Sequence, residues 1–181
     1  MSRSCLRRTF CVTPEFSRPI ALARIPPEGR AETLRASPAE CAALALRFGI
    51  PAVNRFSAAL RLTPEAGGAV AIEGRIRAEV VQDCVVTLDP VVQQVDEAVH
   101  LRVLGAGETA SEDPDTPDDV EAPGGVADLG EAVAEQLALV LDPYPRAPGA
   151  VLPDEAEGEP EAPEEPRPNP FAALSALRGR K

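Results

Sequence analysis

The 181-residue sequence predicts an α+β fold in which an antiparallel β-sheet, either a meander or a partial barrel, is covered by two helices. Three observations predict it. Apolar and polar residues alternate along consecutive segments, as in strands with one buried face. Two segments combine helix-start signals with apolar residues at helical spacing. Two acidic, proline-rich segments cannot bury enough apolar surface to fold, and we expect them to be disordered.

The first predicted element is an extended segment from Phe16 to Ile25, in which Ile20 and Leu22 share one face. Pro19 confines this segment to the edge of a sheet, because proline has no N–H to donate to a neighbouring strand. Residues 28–36 are rich in polar side chains and are predicted to form a loop.

The first predicted helix begins at Ser37, a serine cap followed by Pro38 at the first helical position. Glu40 stands three residues after the cap, which completes the pattern of a capping box. Gly49 and Pro51 end the helix. Its apolar side is predicted to consist of Leu44, Leu46 and Phe48.

Three amphipathic strands are predicted after this helix. The buried face of the first consists of Phe56, Ala58, Leu60 and Leu62. After a turn at residues 65–68, the second carries Val70, Ile72, Ile76, Ala78 and Val80, and Gly74 in its middle indicates a bulge or a bend. A turn at residues 89–90 leads to the third strand, whose apolar face consists of Val95, Val99, Leu101 and Val103. Glu97 interrupts this face, so we expect it to lie near a rim of the sheet.

The second predicted helix spans Asp128 to Leu141 and begins with a capping pattern in which Asp128 is the cap. Residues 142–143, an Asp-Pro pair, end it. We expect it to cover the sheet with the apolar residues Leu129, Val133, Leu137, Val140 and Leu141.

The predicted domain organisation has three parts. Residues 1–150 form a single α+β domain with an acidic loop at 105–125, residues 151–168 form a disordered acidic, proline-rich linker, and residues 169–181 form a C-terminal helical motif. In this motif Asn169 is the cap, Pro170 takes the first helical position, and Arg178 favours the negative end of the helix dipole. A helix this short is only marginally stable in water by itself. We therefore expect it to dock on its own domain or on another molecule. Its apolar stripe consists of Phe171, Leu174 and Leu177.

The net charge of −11 comes from the acidic loop and the linker, which together hold 14 of the 29 acidic residues. The rest of the chain is mildly basic. A basic protein is therefore a plausible partner for the acidic segments. For either segment taken alone, the favoured interpretation is that its acidic residues only keep it soluble and extended. Four arginines lie on the predicted strands, namely Arg61, Arg75, Arg77 and Arg102. They could form a modest patch that faces RNA, or simply a solvated outer face.

The sequence lacks the side-chain patterns of common enzymes. It has one histidine, His100, within a strand pattern, and no nucleotide-binding, nucleophile-elbow or metal-ligand motif. We therefore expect no enzyme activity, no metal and no cofactor. Cys84 is interpreted as a buried structural cysteine.

The expected compartment is the cytoplasm. The four cysteines show no paired spacing, as is typical of reduced thiols. No window approaches the length of a membrane span, and the N-terminus lacks the apolar region of a signal peptide.

Four features in this order resemble the YceD family of bacterial proteins, named for large ribosomal RNA subunit accumulation. They are the segment from Cys84 to Val91, the acidic loop, the second helix with the Asp-Pro-Tyr-Pro sequence of residues 142–145, and the terminal Asn-Pro-Phe-Ala-Ala-Leu of residues 169–174. Thr87 stands where many family members carry the second cysteine of a Cys-x-x-Cys pair. We therefore do not expect a two-thiol metal or redox site in this chain.

The resemblance implies a non-enzymatic factor that supports accumulation of the large-subunit (23S) rRNA. Its partner would be a large-subunit ribosomal precursor, contacted through rRNA or through a basic ribosomal protein. In our leading interpretation, the stripe of the C-terminal motif enters a groove of a partner. The alternative is an acidic chaperone-like module that binds a basic ribosomal protein. Neither interpretation predicts an oligomeric state.

Overall fold

The computed structural model describes residues 14–110 and 116–151. The chain divides into two compact units, Met1–Ala150 and Val151–Lys181. Val151 is the one described residue of the second unit. The predicted linker beyond Val151 and the predicted helical motif of residues 169–181 therefore lie outside the described residues, and both stay predictions.

Seven strands and two α-helices make up the described part of the first unit, together with three short 3-10 turns. The strands are β1 (Pro19–Ala21), β2 (Arg30–Arg35), β3 (Ala52–Pro64), β4 (Val70–Asp83), β5 (Pro90–Val103), β6 (Asp118–Val120) and β7 (Val126–Asp128). The helices are α1 (Pro38–Phe48) and α2 (Leu129–Val140).

The main sheet has five strands in the order β2-β3-β4-β5-β6. Its first four strands form an antiparallel meander, whereas β6 runs parallel to β5. The two edges, β2 and β6, do not pair with each other in the described strands, so the sheet is an open meander rather than a barrel. A separate antiparallel pair joins β1 to β7.

One apolar core lies between the main sheet and the two helices, as the sequence predicts. All thirteen predicted inward residues of β3, β4 and β5 are buried. Helix α1 packs on β3, and α2 packs on β4, β5 and β1. The predicted apolar side of α1 is partly wrong, because Leu44 is fully buried but Leu46 is 85% exposed. Cys41 and Ala45 take the buried positions beside Leu44 instead.

Both helix starts have the predicted caps. The Ser37 hydroxyl accepts the N–H of Glu40 at 3.3 Å, and Glu40 accepts the N–H of Ser37 at 2.7 Å. Gly49 ends α1 in the left-handed conformation, with φ of 66°. In α2 the carboxylate of Asp128 accepts two backbone N–H groups of the first turn. Neither helix is long and apolar enough to cross a membrane, within the residues that the structure describes.

The predicted loop at residues 28–36 is wrong, since most of it is strand β2. Its backbone pairs with β3 from Arg30 opposite Leu62 to Arg35 opposite Ser57. Only Leu34 of this strand is buried. An edge strand has a neighbouring strand on one side only. Strand β2 therefore forms through backbone hydrogen bonds to β3, without an alternation of apolar residues.

The bulge predicted at Gly74 is also wrong, and the alternative of a bend stays a prediction. The pairing continues through this residue, which lies opposite Leu60 on one side and Val99 on the other. A methyl group at Gly74 would lie 2.1 Å from the carbonyl oxygen of Ala59, so close strand approach explains the glycine. The irregularity in this sheet lies in β3, between Val53 and Arg55.

Two further predictions need correction. The acidic loop at 105–125 is not disordered throughout, because Asp118–Val120 forms strand β6 against Leu101–Val103. The extended segment from Phe16 to Ile25 is a strand only in β1 and continues as a 3-10 turn at Leu22–Arg24.

Candidate nucleic-acid interface

The outer face of the main sheet carries all four arginines that the sequence singles out as RNA-facing. Residues directly opposite each other in paired strands share a face. In the register of the sheet, Arg77 lies opposite Ser57, Arg75 opposite Ala59, Arg61 opposite Glu73 and Arg102 opposite Ala71. Along each strand, these positions alternate with the buried ones. All four arginines therefore point away from the core.

Two more arginines lie on this face, and the sequence interpretation missed both. Arg55 pairs with Glu79 across β3 and β4, and Arg35 pairs with Ser57 across β2 and β3. Arg55 follows the alternation of β3 and could have been found from it. Arg35 could not, because its strand was predicted to be a loop. On the outer face of β2 to β5, six arginines thus stand against four carboxylates, those of Glu73, Glu79, Asp83 and Asp96.

Arg75 and Arg77 share a single carboxylate. The Nε of Arg75 donates to Asp96 at 2.7 Å and the Nε of Arg77 donates to the other Asp96 oxygen at 3.2 Å. These hydrogen bonds, the one from Arg75 foremost, lower the pKa of Asp96. The group of three therefore keeps one net positive charge, on side chains that are more than half exposed.

Arg102 is engaged differently. Its guanidinium donates to Glu108 at 2.6 Å and to Glu65 at 3.1 Å, and it lies 3.8 Å from Asp119. The carboxylate of Glu108 also accepts the N–H of Gly105 at 3.0 Å. The hydrogen bonds to Glu108 and Glu65 raise the pKa of Arg102. Arg102 thus ties the acidic segment to the sheet, whereas the guanidinium of Arg61 donates a 3.1 Å hydrogen bond to the carbonyl of Glu28.

The chemistry of this face suits phosphate groups rather than stacked bases. Its outward positions in β2 to β5 hold arginine, small, acidic and amide side chains together with Val81, Val92 and His100, and no phenylalanine, tyrosine or tryptophan is among them. Base stacking needs such rings, whereas guanidinium groups bind phosphate oxygens through charge and paired N–H donors. His100 is exposed on the same face, opposite Glu73.

The turn between β4 and β5 holds Cys84, which is fully buried as predicted. Its sulfur accepts backbone N–H groups from Ala147 at 3.2 Å and from Val86 and Thr87 at 3.4 Å each. Hydrogen bonding to the sulfur, first from the N–H of Ala147 and next from the side chain of Thr87, lowers the thiol pKa to about 7. Within residues 14–110 and 116–151, no group of three or more His, Cys, Asp or Glu side chains could hold a metal ion.

The predicted partner-binding residues of the C-terminal motif lie outside the described residues. Their role stays a prediction for the whole set, which comprises Asn169, Pro170, Phe171, Leu174, Leu177 and Arg178.

Comparison with known proteins identifies one family. The model of the large ribosomal RNA subunit accumulation protein YceD matches residues 72–178, which is more than half of the chain. No curated protein and no solved structure matches. The match begins within β4 and includes the Cys84 turn, the acidic loop, α2 and the terminal block of residues 169–174, which are the parts of the chain that carry the sequence resemblance. The chain therefore belongs to the YceD family of large ribosomal RNA subunit accumulation proteins.

Proposed function

We propose that this chain acts, without catalysing a reaction, in the biogenesis of the large ribosomal subunit. It would support accumulation of the large-subunit (23S) rRNA, and it would do so in the cytoplasm. Membership of the YceD family supports this function. We choose a binding mechanism because of the outer sheet face, on which six arginines stand against four carboxylates.

In this proposal the outer face contacts RNA of the ribosomal precursor. Exposed arginines bind RNA by displacing counterions from phosphates, so the interaction should weaken steeply with salt. Arg75, Arg77 and Arg61 would contribute most, because Arg102 is already surrounded by three carboxylates. The absence of large aromatic rings from the outward positions of the described strands favours contacts to the backbone over contacts to unstacked bases.

The C-terminal motif would provide a second contact. We propose that Phe171, Leu174 and Leu177 place an apolar stripe into a groove of the ribosomal precursor, in the helix-in-groove mode. Deletion of residues 169–181 should then reduce rRNA accumulation without changing the melting temperature of the protein. Unchanged rRNA levels together with a lower melting temperature would instead indicate that the motif packs on its own domain.

The alternative, an acidic chaperone for a basic ribosomal protein, has weaker support. Part of its acidic loop is engaged within the domain, since Glu108 binds Arg102 and Asp118 accepts a hydrogen bond from Gln136 at 2.8 Å. An acidic segment that is occupied by its own arginine offers less charge to a partner.

Affinity capture of the full chain from cell lysate tests the proposal. It would be done at two salt concentrations, with and without nuclease. We expect precursor particles that are lost after nuclease treatment and at the higher salt concentration. Nuclease-resistant capture of one basic ribosomal protein would favour the chaperone instead. Charge reversal of Arg75 and Arg77 should lower RNA affinity and the salt slope, and an unchanged slope would rule out this face as the contact.

A further inference from the structure

A shallow pocket of about 340 Å³ lies in the middle of the outer sheet face. The side chain of Ala59 and the backbone at Gly74, in neighbouring strands, line its floor. Because Ala59 is small and Gly74 has no side chain, polar groups surround a depression at this point. The rim of the pocket consists of Thr33, Arg35, Ser57, Arg75 and Arg77.

The register of the sheet sets the spacing of the rim. Arg35, Ser57 and Arg77 lie directly opposite one another in β2, β3 and β4. Because adjacent strands are about 4.8 Å apart, the backbones of the two arginines lie about 10 Å apart with the serine between them. Arg75 and Thr33 follow in the neighbouring row, on either side of Ala59. Long guanidinium side chains can therefore meet above Ser57 from both sides.

The charge of the pocket is not balanced. Among the described residues, Asp96 is the one carboxylate bound to the arginines of the pocket, and it accepts hydrogen bonds from both Arg75 and Arg77. The guanidinium of Arg35 makes no hydrogen bond or ion pair within the part of the chain that the structure describes. The backbone carbonyl of Arg35 accepts a hydrogen bond from Arg18 at 3.1 Å. Three guanidinium groups against one carboxylate leave two positive charges around a depression that also holds two hydroxyl groups.

We infer that this pocket binds a phosphate group of an RNA backbone, with Arg35 and Arg77 as its principal ligands and the hydroxyls of Ser57 and Thr33 as additional donors. Arginine suits this role because its planar donors match two phosphate oxygens at once. A single phosphodiester carries one negative charge, which the pocket can neutralise. The inference rests on the proposed function, because it names the group of the RNA that the outer face would bind.

The test uses the folded full-length chain and a short single-stranded oligouridylate, with affinity measured at several salt concentrations. Arg35→Gln removes one phosphate contact and touches no ion pair. It should weaken binding about 3- to 10-fold and make the slope of log affinity against log salt shallower by about 0.7. The matched control is Arg146→Gln, the same charge change at an exposed arginine of the segment after α2, and it should leave the slope as in the unaltered chain. Equal slopes for Arg35→Gln and the unaltered chain would overturn the inference.

Inorganic phosphate serves as a second probe, followed by the backbone amide NMR signals of Ser57 and Arg77. Weak shifts at these signals that disappear in Arg35→Gln support the pocket. Tight, saturable phosphate binding without any effect of Arg35→Gln on oligouridylate would indicate a site for free phosphate and overturn the assignment to RNA. If the lysate capture described above yields no precursor RNA while Arg35→Gln still lowers the salt slope, the proposed function fails but the pocket stands. If the capture yields precursor RNA but Arg35→Gln leaves the salt slope unchanged, the phosphate pocket is ruled out and the proposed function stands.

Discussion

The sulfur of Cys84 accepts a hydrogen bond from the backbone N–H of Ala147, 63 residues later in the chain, at 3.2 Å. Beside it, the N–H of Val85 donates to the carbonyl of Pro145 at 2.9 Å. These two bonds join the β4–β5 turn to the segment that follows α2. The turn and this segment are two of the parts that resemble the YceD family, and the structure places them in direct contact. The cysteine thus has a structural role that needs no second thiol.

The first prediction concerns the pH dependence of this contact. The thiol pKa of Cys84 is lowered to about 7 from an ordinary value near 9, so the folded state favours the thiolate. Its stabilisation is fully present above about pH 9 and is lost as the pH falls towards 7. The free energy of unfolding of the unaltered chain, relative to Cys84→Ser, should therefore rise between pH 7 and 9, as measured by urea denaturation.

Cys41 offers a control of opposite sign, because burial raises its thiol pKa. Relative to Cys41→Ser, the unaltered chain should lose stability as the pH rises above the ordinary thiol range. The same pH trend for both comparisons would contradict the assignment of a thiolate to Cys84.

The second prediction concerns acid. Arg18 makes two hydrogen bonds to Glu40, at 2.7 and 3.0 Å, and these bonds are the main cause of the drop in the pKa of Glu40 to about 2. Stability from this pair is present above about pH 4.5 and is lost as the pH falls towards 2. Because both side chains are partly exposed, Glu40→Gln should cost only about 0.5–1 kcal/mol at pH 7. The difference from the unaltered chain should vanish near pH 2.

Ser37→Ala is the matched control for that experiment. It removes the hydroxyl that caps α1 and leaves the ion pair in place. Its cost of about 1 kcal/mol should persist at acid pH, because no titrating group is lost. A pH-independent cost for Glu40→Gln would show that the ion pair adds nothing to the cap.

The third prediction is that Gly74→Ala destabilises the sheet. The added methyl group would lie 2.1 Å from the carbonyl oxygen of Ala59, and two paired strands must separate to admit it. We expect a loss of about 1–3 kcal/mol in the free energy of unfolding. Gly107→Ala, in the turn after β5, is the comparison, since a methyl group there meets no atom within 4 Å but stands at a positive φ of 80°. Thermal denaturation should show the larger loss for Gly74→Ala.

The fourth prediction separates two leucines of α1. Leu44 is fully buried and Leu46 is 85% exposed. Leu44→Ala should cost about 2–5 kcal/mol of unfolding free energy, because it leaves a cavity in the core. Leu46→Ala should change it by no more than about 0.5 kcal/mol. Similar losses for both variants, measured by denaturant titration, would mean that Leu46 is buried in solution.

The sequence by itself determined the elements whose signals are local. The caps of α1 and α2 depend on residues within one turn, and the buried faces of β3, β4 and β5 depend on alternation along each strand. It also carried the resemblance to the family. Both the fold class and the placement of four arginines on one outward face follow from these short-range patterns.

Only the tertiary structure decided which distant segments meet. Strand β2 exists because the backbone of β3 offers it hydrogen-bond partners, and β6 because the end of β5 does the same. Neither strand has the alternation of apolar and polar residues from which a strand can be predicted. The surroundings of Arg35, Arg102 and Cys84 were likewise decided by the tertiary structure. Whether a charge stays free or a thiol is hydrogen-bonded depends on groups brought near by folding, and sequence spacing does not encode those distances.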